Sequence, residues 1–183
     1  MDRIEEFITI LGSVEREGID DLIEELSNST FFVDPASANQ HSNFEGGLCE
    51  HSINVYKRLK ELTGRDDDTI KIVGLLHDVC KIGTYETYEK NFKDKDGKWN
   101  KTIAYKHAKT SFPFGHGEKS VYAISKWIKL TDEEALAIRW HMGAFEPKES
   151  YPYLRHAQEL YPLVIYTHMA DLMAATYDEK VVE

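Results

Sequence analysis

The sequence predicts an all-α fold interrupted by one small β-hairpin. Three observations carry this reading. Apolar residues recur at helical spacing along most of the chain. Between residues 84 and 109 that spacing gives way to aromatic and β-branched runs around a turn signal. The length of 183 residues suits one domain with a sizeable core.

Ile4, Phe7, Ile8 and Leu11 follow i, i+3, i+4, i+7, and Gly12 ends a first helix. Ile19, Leu22, Ile23 and Leu26 repeat the pattern, with Asp20 and Asp21 favourable in the first turn. Ser27 to Gly47 is polar but holds Phe31, Phe32 and Pro35, which predicts an ordered loop whose aromatics are buried. Leu48, Val55, Leu59 and Leu62 line a third helix, and His51 falls on the same stripe. Residues 70–80, IKIVGLLHDVC, are apolar almost all round, the mark of a central helix packed on several sides. TYETYEKNF and WNKTIAYKH then read as two strands, with Asp96-Gly97 as the turn between them. Val121, Ile124, Trp127 and Ile128 predict a helix over 116–128. Thr131 with Glu134 is a capping box opening a helix to Gly143. Pro152 and Pro162 mark two more helix starts, the last running through Ala175.

Composition narrows the function. The longest apolar runs, 70–80 and 163–175, are too short to span a membrane and carry Lys, His or Asp. The start, MDRIEEFITI, is unlike a signal peptide, and two cysteines, Cys49 and Cys80, make no disulfide framework. A cytoplasmic setting is therefore expected. The net charge of −10 disfavours generic nucleic-acid binding. It conceals a local reversal: residues 90–109 hold seven Lys and two Asp, net +5, which leaves −15 for the rest.

His77-Asp78, at the end of the most buried helix, is the pair that carries chemistry. A buried carboxylate beside an imidazole is costly unless something compensates, and a metal ion compensates well. Lys81 is i+4 from His77 and i+3 from Asp78, so it projects over the same face. An ammonium there calls for an anion between it and a metal, hence a phosphate-bearing substrate. A lone His-Asp dipeptide is more often a structural pair than a ligand pair. Its company shifts the balance: His51 points inward, His116 opens a helix, His141 closes one, and Asp171 lies in the apolar HMADLMAA. Imidazole mixed with carboxylate suits Fe, Mn, Zn, Ni or Co better than Mg or Ca.

Taken in order, with the contexts GGLCEHSINVY, LLHDVCKIG, GHGEKS, IRWHMG and ADLMAA, these residues resemble the HD-domain superfamily of metal-dependent phosphohydrolases. GGLCEHS with HDVCKIG is similar to the HD module of bacterial 3′-to-5′ exoribonucleases. The stretch from the hairpin through IRWHMG is similar to small stand-alone HD proteins of bacteria and phages. The resemblance implies a single HD-type helical domain over 1–183. Its core spans about 44–177, with N-terminal helices over 1–28 and a hairpin insertion over about 84–109. It implies two divalent transition metals (Fe, Mn, Ni, Co or Zn). His51, His77, Asp78 and Asp171 would hold the first, and His116 and His141 the second, with Asp78 as bridge. Asp78 and Lys81 would be the catalytic pair, and a water between the metals would attack phosphorus in line. The expected substrate is a phosphate ester of a nucleotide or oligonucleotide, cleaved by a phosphatase or phosphodiesterase. There is no His-His pair at 141–142 and no Gly-Tyr-Pro after it, which sets the chain apart from the cyclic-dinucleotide branch.

Two other functions compete. Some HD-fold enzymes hold two irons with the same six-residue pattern and oxygenate a polyol or phosphonate; a non-catalytic metal-binding module is the other. Lys81 favours an anionic substrate, and a binding module has no need of two open metals. The remaining histidines read more plainly. His168 suits the core, His107 and His156 the surface or a groove, and His41 a loop hydrogen bond or the pocket lining. Cys80 reads as a small buried residue. GEKS at 117–120 lacks the glycine spacing of a phosphate loop, although Lys119 and Ser120 could face the site. The lysines at 90, 93, 95, 98, 101, 106 and 109 alternate with Phe92, Trp99 and Tyr105. Such a hairpin is either a charged edge that blocks strand pairing or a flap that grips a single-stranded nucleic-acid end. Oligomeric state is not legible.

Overall fold

The computed structural model describes residues 2–109 and 112–179. Its helices are α1 (Arg3–Gly12), α2 (Ile19–Asn28), α3 (Gly47–Thr63), α4 (Asp68–Leu76), α5 (His116–Ile124), α6 (Asp132–Arg139), α7 (Tyr151–Leu160) and α8 (Leu163–Met173). The two strands β1 (Tyr85–Lys93) and β2 (Trp99–His107) form one antiparallel hairpin. The fold is thus all-α with a small β insertion. No helix among the described residues is long and apolar enough to cross a membrane.

α4 is the hub. Ile70, Ile72, Val73, Leu75 and Leu76 are all buried, as the apolar run 72–76 requires. It packs on α1, α3 and α6, and α3 packs in turn on α8. Gly74 lets α4 touch α3, since a Cβ there would lie 2.5 Å from the Cα of Tyr56. Gly117 does the same for α5 and α6, where a Cβ would meet the carbonyl oxygen of Arg139 at 2.0 Å. These two contacts draw together the four helices that carry the histidines. The loop before α3 is ordered: Phe31 is fully buried, and Phe7, Phe31 and Phe32 form a three-ring cluster with centroids 4.9–5.5 Å apart.

Several helices stop earlier than periodicity alone predicts. α4 ends at Leu76, and Asp78 leaves helical geometry with φ −110° and ψ 15°. α6 ends at Arg139 and α5 at Ile124, so Trp127 lies on a turn and is exposed. After Met173 the chain widens into a π-helical turn, Ala174–Asp178. For α4 and α6 the physical reason is a side chain. The His77 Nδ1–H donates to the Gly74 carbonyl at 3.0 Å, and the His141 Nδ1–H to the Ile138 carbonyl at 2.7 Å. Each imidazole takes a last-turn carbonyl that helix termination leaves open.

The hairpin runs in register from Tyr85 opposite His107 to Lys93 opposite Trp99. Its turn is longer than the Asp96-Gly97 signal alone suggests. Asp94 to Lys98 form the loop, with the Asp94 carboxylate accepting from the Asp96 and Lys98 amides and Gly97 at φ 78°. Most of both strands is exposed. The base is tied down: the Ala108 amide donates to the Thr84 carbonyl, and the Gly83 amide to the Asp34 carboxylate at 2.7 Å.

Candidate metal centre

Five elements converge at one point. α3 presents His51, the end of α4 presents His77 and Asp78, and α5 begins with His116. His141 follows α6, and Asp171 lies near the end of α8. All six residues expected from the sequence are brought together. The His51 Nε2 lies 3.3 Å from the His77 Nε2, 3.2 Å from the Asp171 Oδ1 and 3.4 Å from the Asp78 Oδ2. The other oxygen of Asp78, Oδ1, lies 2.7 Å from the His116 Nε2 and 3.5 Å from the His141 Nε2. Donor atoms of His77, His141 and Asp171 also fall within 4.8 Å of one another. Asp78 therefore divides its two oxygens between two halves of the cluster.

The electrostatics ask for a cation. His51, His77 and Asp78 are essentially out of water. Burial alone would raise the Asp78 pKa, but Lys81, His77 and His116 hold it well below the usual carboxylate range. Burial would likewise raise Asp171, yet the His51 hydrogen bond carries it below that range. Burial works against a charged His51, but Asp171, Asp78 and Glu179 raise its pKa well above the ordinary imidazole value. Burial, by contrast, lowers His77. Three carboxylates thus surround one ring, with the Lys81 ammonium 2.7 Å from the Asp78 Oδ2 to offset them. A divalent cation would balance the remainder.

The donor set suits a transition metal. Because His77 and His141 donate from Nδ1 to backbone carbonyls, each turns an Nε2 lone pair inward. The His141 Nε2 is buried with no hydrogen-bond partner, an orphan that a metal ion would satisfy. Imidazole nitrogens and carboxylates at these separations match Fe, Mn, Zn, Co or Ni.

A cavity of about 670 Å³ opens over the cluster. Asp78, His116, Asp171 and Lys81 line its floor, and the 37–41 loop, Tyr85, His107, Phe145, His168 and Leu172 its walls. Lys81 differs from expectation in how it gets there. It sits on a 3-10 turn, Val79–Lys81, rather than on a continuing helix, and it pairs directly with Asp78. His41 does line the cavity, 5.0 Å ring to ring from His51, with its Nε2 buried and unpartnered. His107 and His168 line it too, while His156 is exposed. The Cys80 Sγ lies 3.4 Å from the His116 ring, and burial pushes its thiol up to about 11. The Ser120 hydroxyl accepts from the Cys80 amide behind the site.

One residue of the site escapes the sequence reading. Glu179, 6% exposed, accepts from the His51 Nδ1–H at 3.0 Å, the Ser42 hydroxyl at 2.8 Å and the Asn54 amide at 3.1 Å. Burial alone would raise its pKa, but the His51 hydrogen bond and its other partners bring it below the usual range. Asn54, i+3 from His51 on one helix face, was the only local cue.

A sequence profile for one family, the HD domain, matches residues 48–176. No curated protein and no solved structure gives a significant match.

Proposed function

The chain belongs to the HD-domain family, and from that membership we propose that it is a metal-dependent phosphohydrolase that cleaves a phosphate ester of a nucleotide or an oligonucleotide end. His51, His77, Asp78 and Asp171 would hold one divalent metal, and His116 and His141 a second, with Asp78 common to both. When bound, such a pair supplies Lewis acidity toward phosphate oxygens and lowers the pKa of water.

The observation that carries the reading is the cavity of about 670 Å³, which sets Asp78, His116, Asp171 and Lys81 on one floor. The chain's own residues have separable tasks. Lys81 offers the ammonium at the floor and neutralises a phosphate that enters beside Asp78. Asn39 and Gln40 offer amides for a sugar or phosphate, and the Tyr85 and His107 rings, 5.0 Å apart and tilted 44° to each other, offer aromatic faces on which a base could stack. An oligonucleotide-end substrate draws support from the hairpin base alone, because Tyr85 and His107 reach the cavity while the hairpin tip does not line it.

The test is elemental analysis of the purified protein followed by a panel of phosphomonoesters and phosphodiesters. About two transition metals per chain and turnover of a nucleotide ester are expected. Asp78→Ala should lose more metal than any other single change, since its oxygens serve both halves. A metal-replete Asp78→Ala protein would sink the ligand assignment.

A further inference from the structure

We propose that Glu179 is a positioning residue that orients His51 toward the first metal and ties that ring to the wall of the substrate cavity. The inference rests on the metal-centre reading above and adds what holds the far side of the His51 ring.

The argument begins with the His51 ring, which has two nitrogens with different partners. Nε2 faces His77, Asp78 and Asp171 at 3.2–3.4 Å. Nδ1 faces both oxygens of Glu179, at 3.0 and 3.2 Å. A carboxylate accepts, so Nδ1 carries a proton, and Nε2, on the side of Asp78 and Asp171, is the nitrogen that would ligate once a metal takes the place of any proton there. His77 and His141 have their tautomers set by backbone carbonyls three residues back on their own helices. His51 has its tautomer set by a charged group 128 residues away. A carboxylate on the far nitrogen makes the imidazole a stronger donor to a metal.

The same carboxylate is itself well fixed. The Asn54 amide reaches Oε1 and the Ser42 hydroxyl reaches Oε2. Ser42 is fully buried and takes a left-handed backbone, φ 44°, uncommon for a residue with a side chain. Its own carbonyl accepts from the Ala36 amide at 3.1 Å, so Ser42 closes the loop whose residues 37–41 wall the cavity. One buried group therefore sets both the aim of a ligand ring and the seat of a cavity wall.

The experiment is a titration of the chelator-stripped full-length protein with Co(II), in competition with a coloured chelator, to give the affinity of each site. Glu179→Gln should weaken one of the two sites 10- to 100-fold, the range for loss of a partner behind a ligand. The other site should stay within about threefold of wild type by the same reasoning, because its rings have other partners. Asn54→Ala and Ser42→Ala leave His51 and Glu179 intact and loosen only the carboxylate. Each should weaken the same site by a smaller factor, and they carry the test should Glu179→Gln fail to fold. A merely structural Glu179 would lower the melting temperature and leave both affinities alone; that result overturns the proposal. Wild-type protein that binds no Co(II) would instead overturn the metal-centre reading, a different failure seen before any variant is made.

Discussion

Lys81 ends 2.7 Å from the Asp78 Oδ2 and also lines the cavity, so its ammonium can serve either the fold or the substrate. The structure lets these be separated. Lys81→Met keeps the stem and removes the charge. It should leave metal content at the wild-type level, because no ligand is lost, while turnover of a phosphate ester falls at least about tenfold, as expected when a charge-assisted contact to phosphate goes. Loss of metal from that variant would make Lys81 structural. Glu134 gives a residue-scale prediction of another kind. It is fully buried, bridged by both guanidinium nitrogens of Arg16 at 2.9 and 3.0 Å, and also bonded by Thr69 and Thr131. Burial pushes its pKa up, but Arg16 leads the partners that bring it below the ordinary 4.5. A depressed carboxylate stabilises the fold above its unfolded pKa and loses that stabilisation as pH falls through the folded value. Glu134→Gln should therefore cost about 2–3 kcal/mol at pH 7, less than a fully buried pair because Arg16 keeps some solvent. The difference from wild type should shrink as pH drops below about 4.5. Denaturant unfolding across pH measures both; a gap that persists unchanged at pH 3 would refute the linkage. The legibility of such residues follows their partners. His77-Asp78 stands out because two polar residues end a largely apolar segment. Glu179 does not, because its partners Ser42 and His51 are 137 and 128 residues distant and nothing in YDEKVVE marks one acid above another.

At the scale of elements, the types were legible and the ends were not. Helix starts announce themselves through local chemistry, as in the Thr131 and Glu134 capping box or Pro152 in the first turn of α7. The ends of α4 and α6 depend on His77 and His141 turning back to carbonyls, which apolar periodicity does not encode. The hairpin teaches a related lesson about windows. Counted over 90–109, it is strongly basic. Counted over both strands, 85–107, six Lys face two Glu and two Asp, a net of +2. The structure supplies the reason the wider window matters: Lys101 pairs with Glu89 at 2.8 Å and Lys106 with Glu86 at 3.0 Å. Exposed pairs of this kind are worth little and separate readily for a phosphate. If the arm grips an oligonucleotide, neutralising Lys93, Lys95, Lys98 and Lys101 together should weaken its binding and flatten the salt dependence, each lost contact removing roughly 0.7 from the log–log slope for a single strand. Turnover of a small ester should be spared, since Tyr85 and His107 at the base remain. An unchanged slope over a salt series would leave the arm as a charged, protected edge.

For the whole molecule, the question is which chemistry the assembled site runs. Mutating the six proposed ligands cannot decide, because a hydrolase and a two-iron oxygenase would lose activity alike. The floor of the cavity favours an anionic substrate without choosing the reaction: Lys81 beside Asp78 is suited to an anion, and a phosphonate would satisfy it as well as a phosphate does. The discriminating property is therefore valence. Hydrolysis asks for a Lewis acid and a water, so metals that do not change oxidation state support it. Oxygenation consumes dioxygen and cycles iron. We expect phosphate-ester cleavage to proceed with oxygen fully excluded, and Mn, Co or Ni to restore activity to the stripped protein. In labelled water, the released phosphate should carry one solvent oxygen on phosphorus, the atom that replaces the departing alcohol. Strict dependence on iron, oxygen uptake matched to turnover and unlabelled phosphate would reverse the assignment. The six converging residues would stand under either outcome, because their convergence follows from how α3, α4, α5, α6 and α8 pack and not from the reaction they serve.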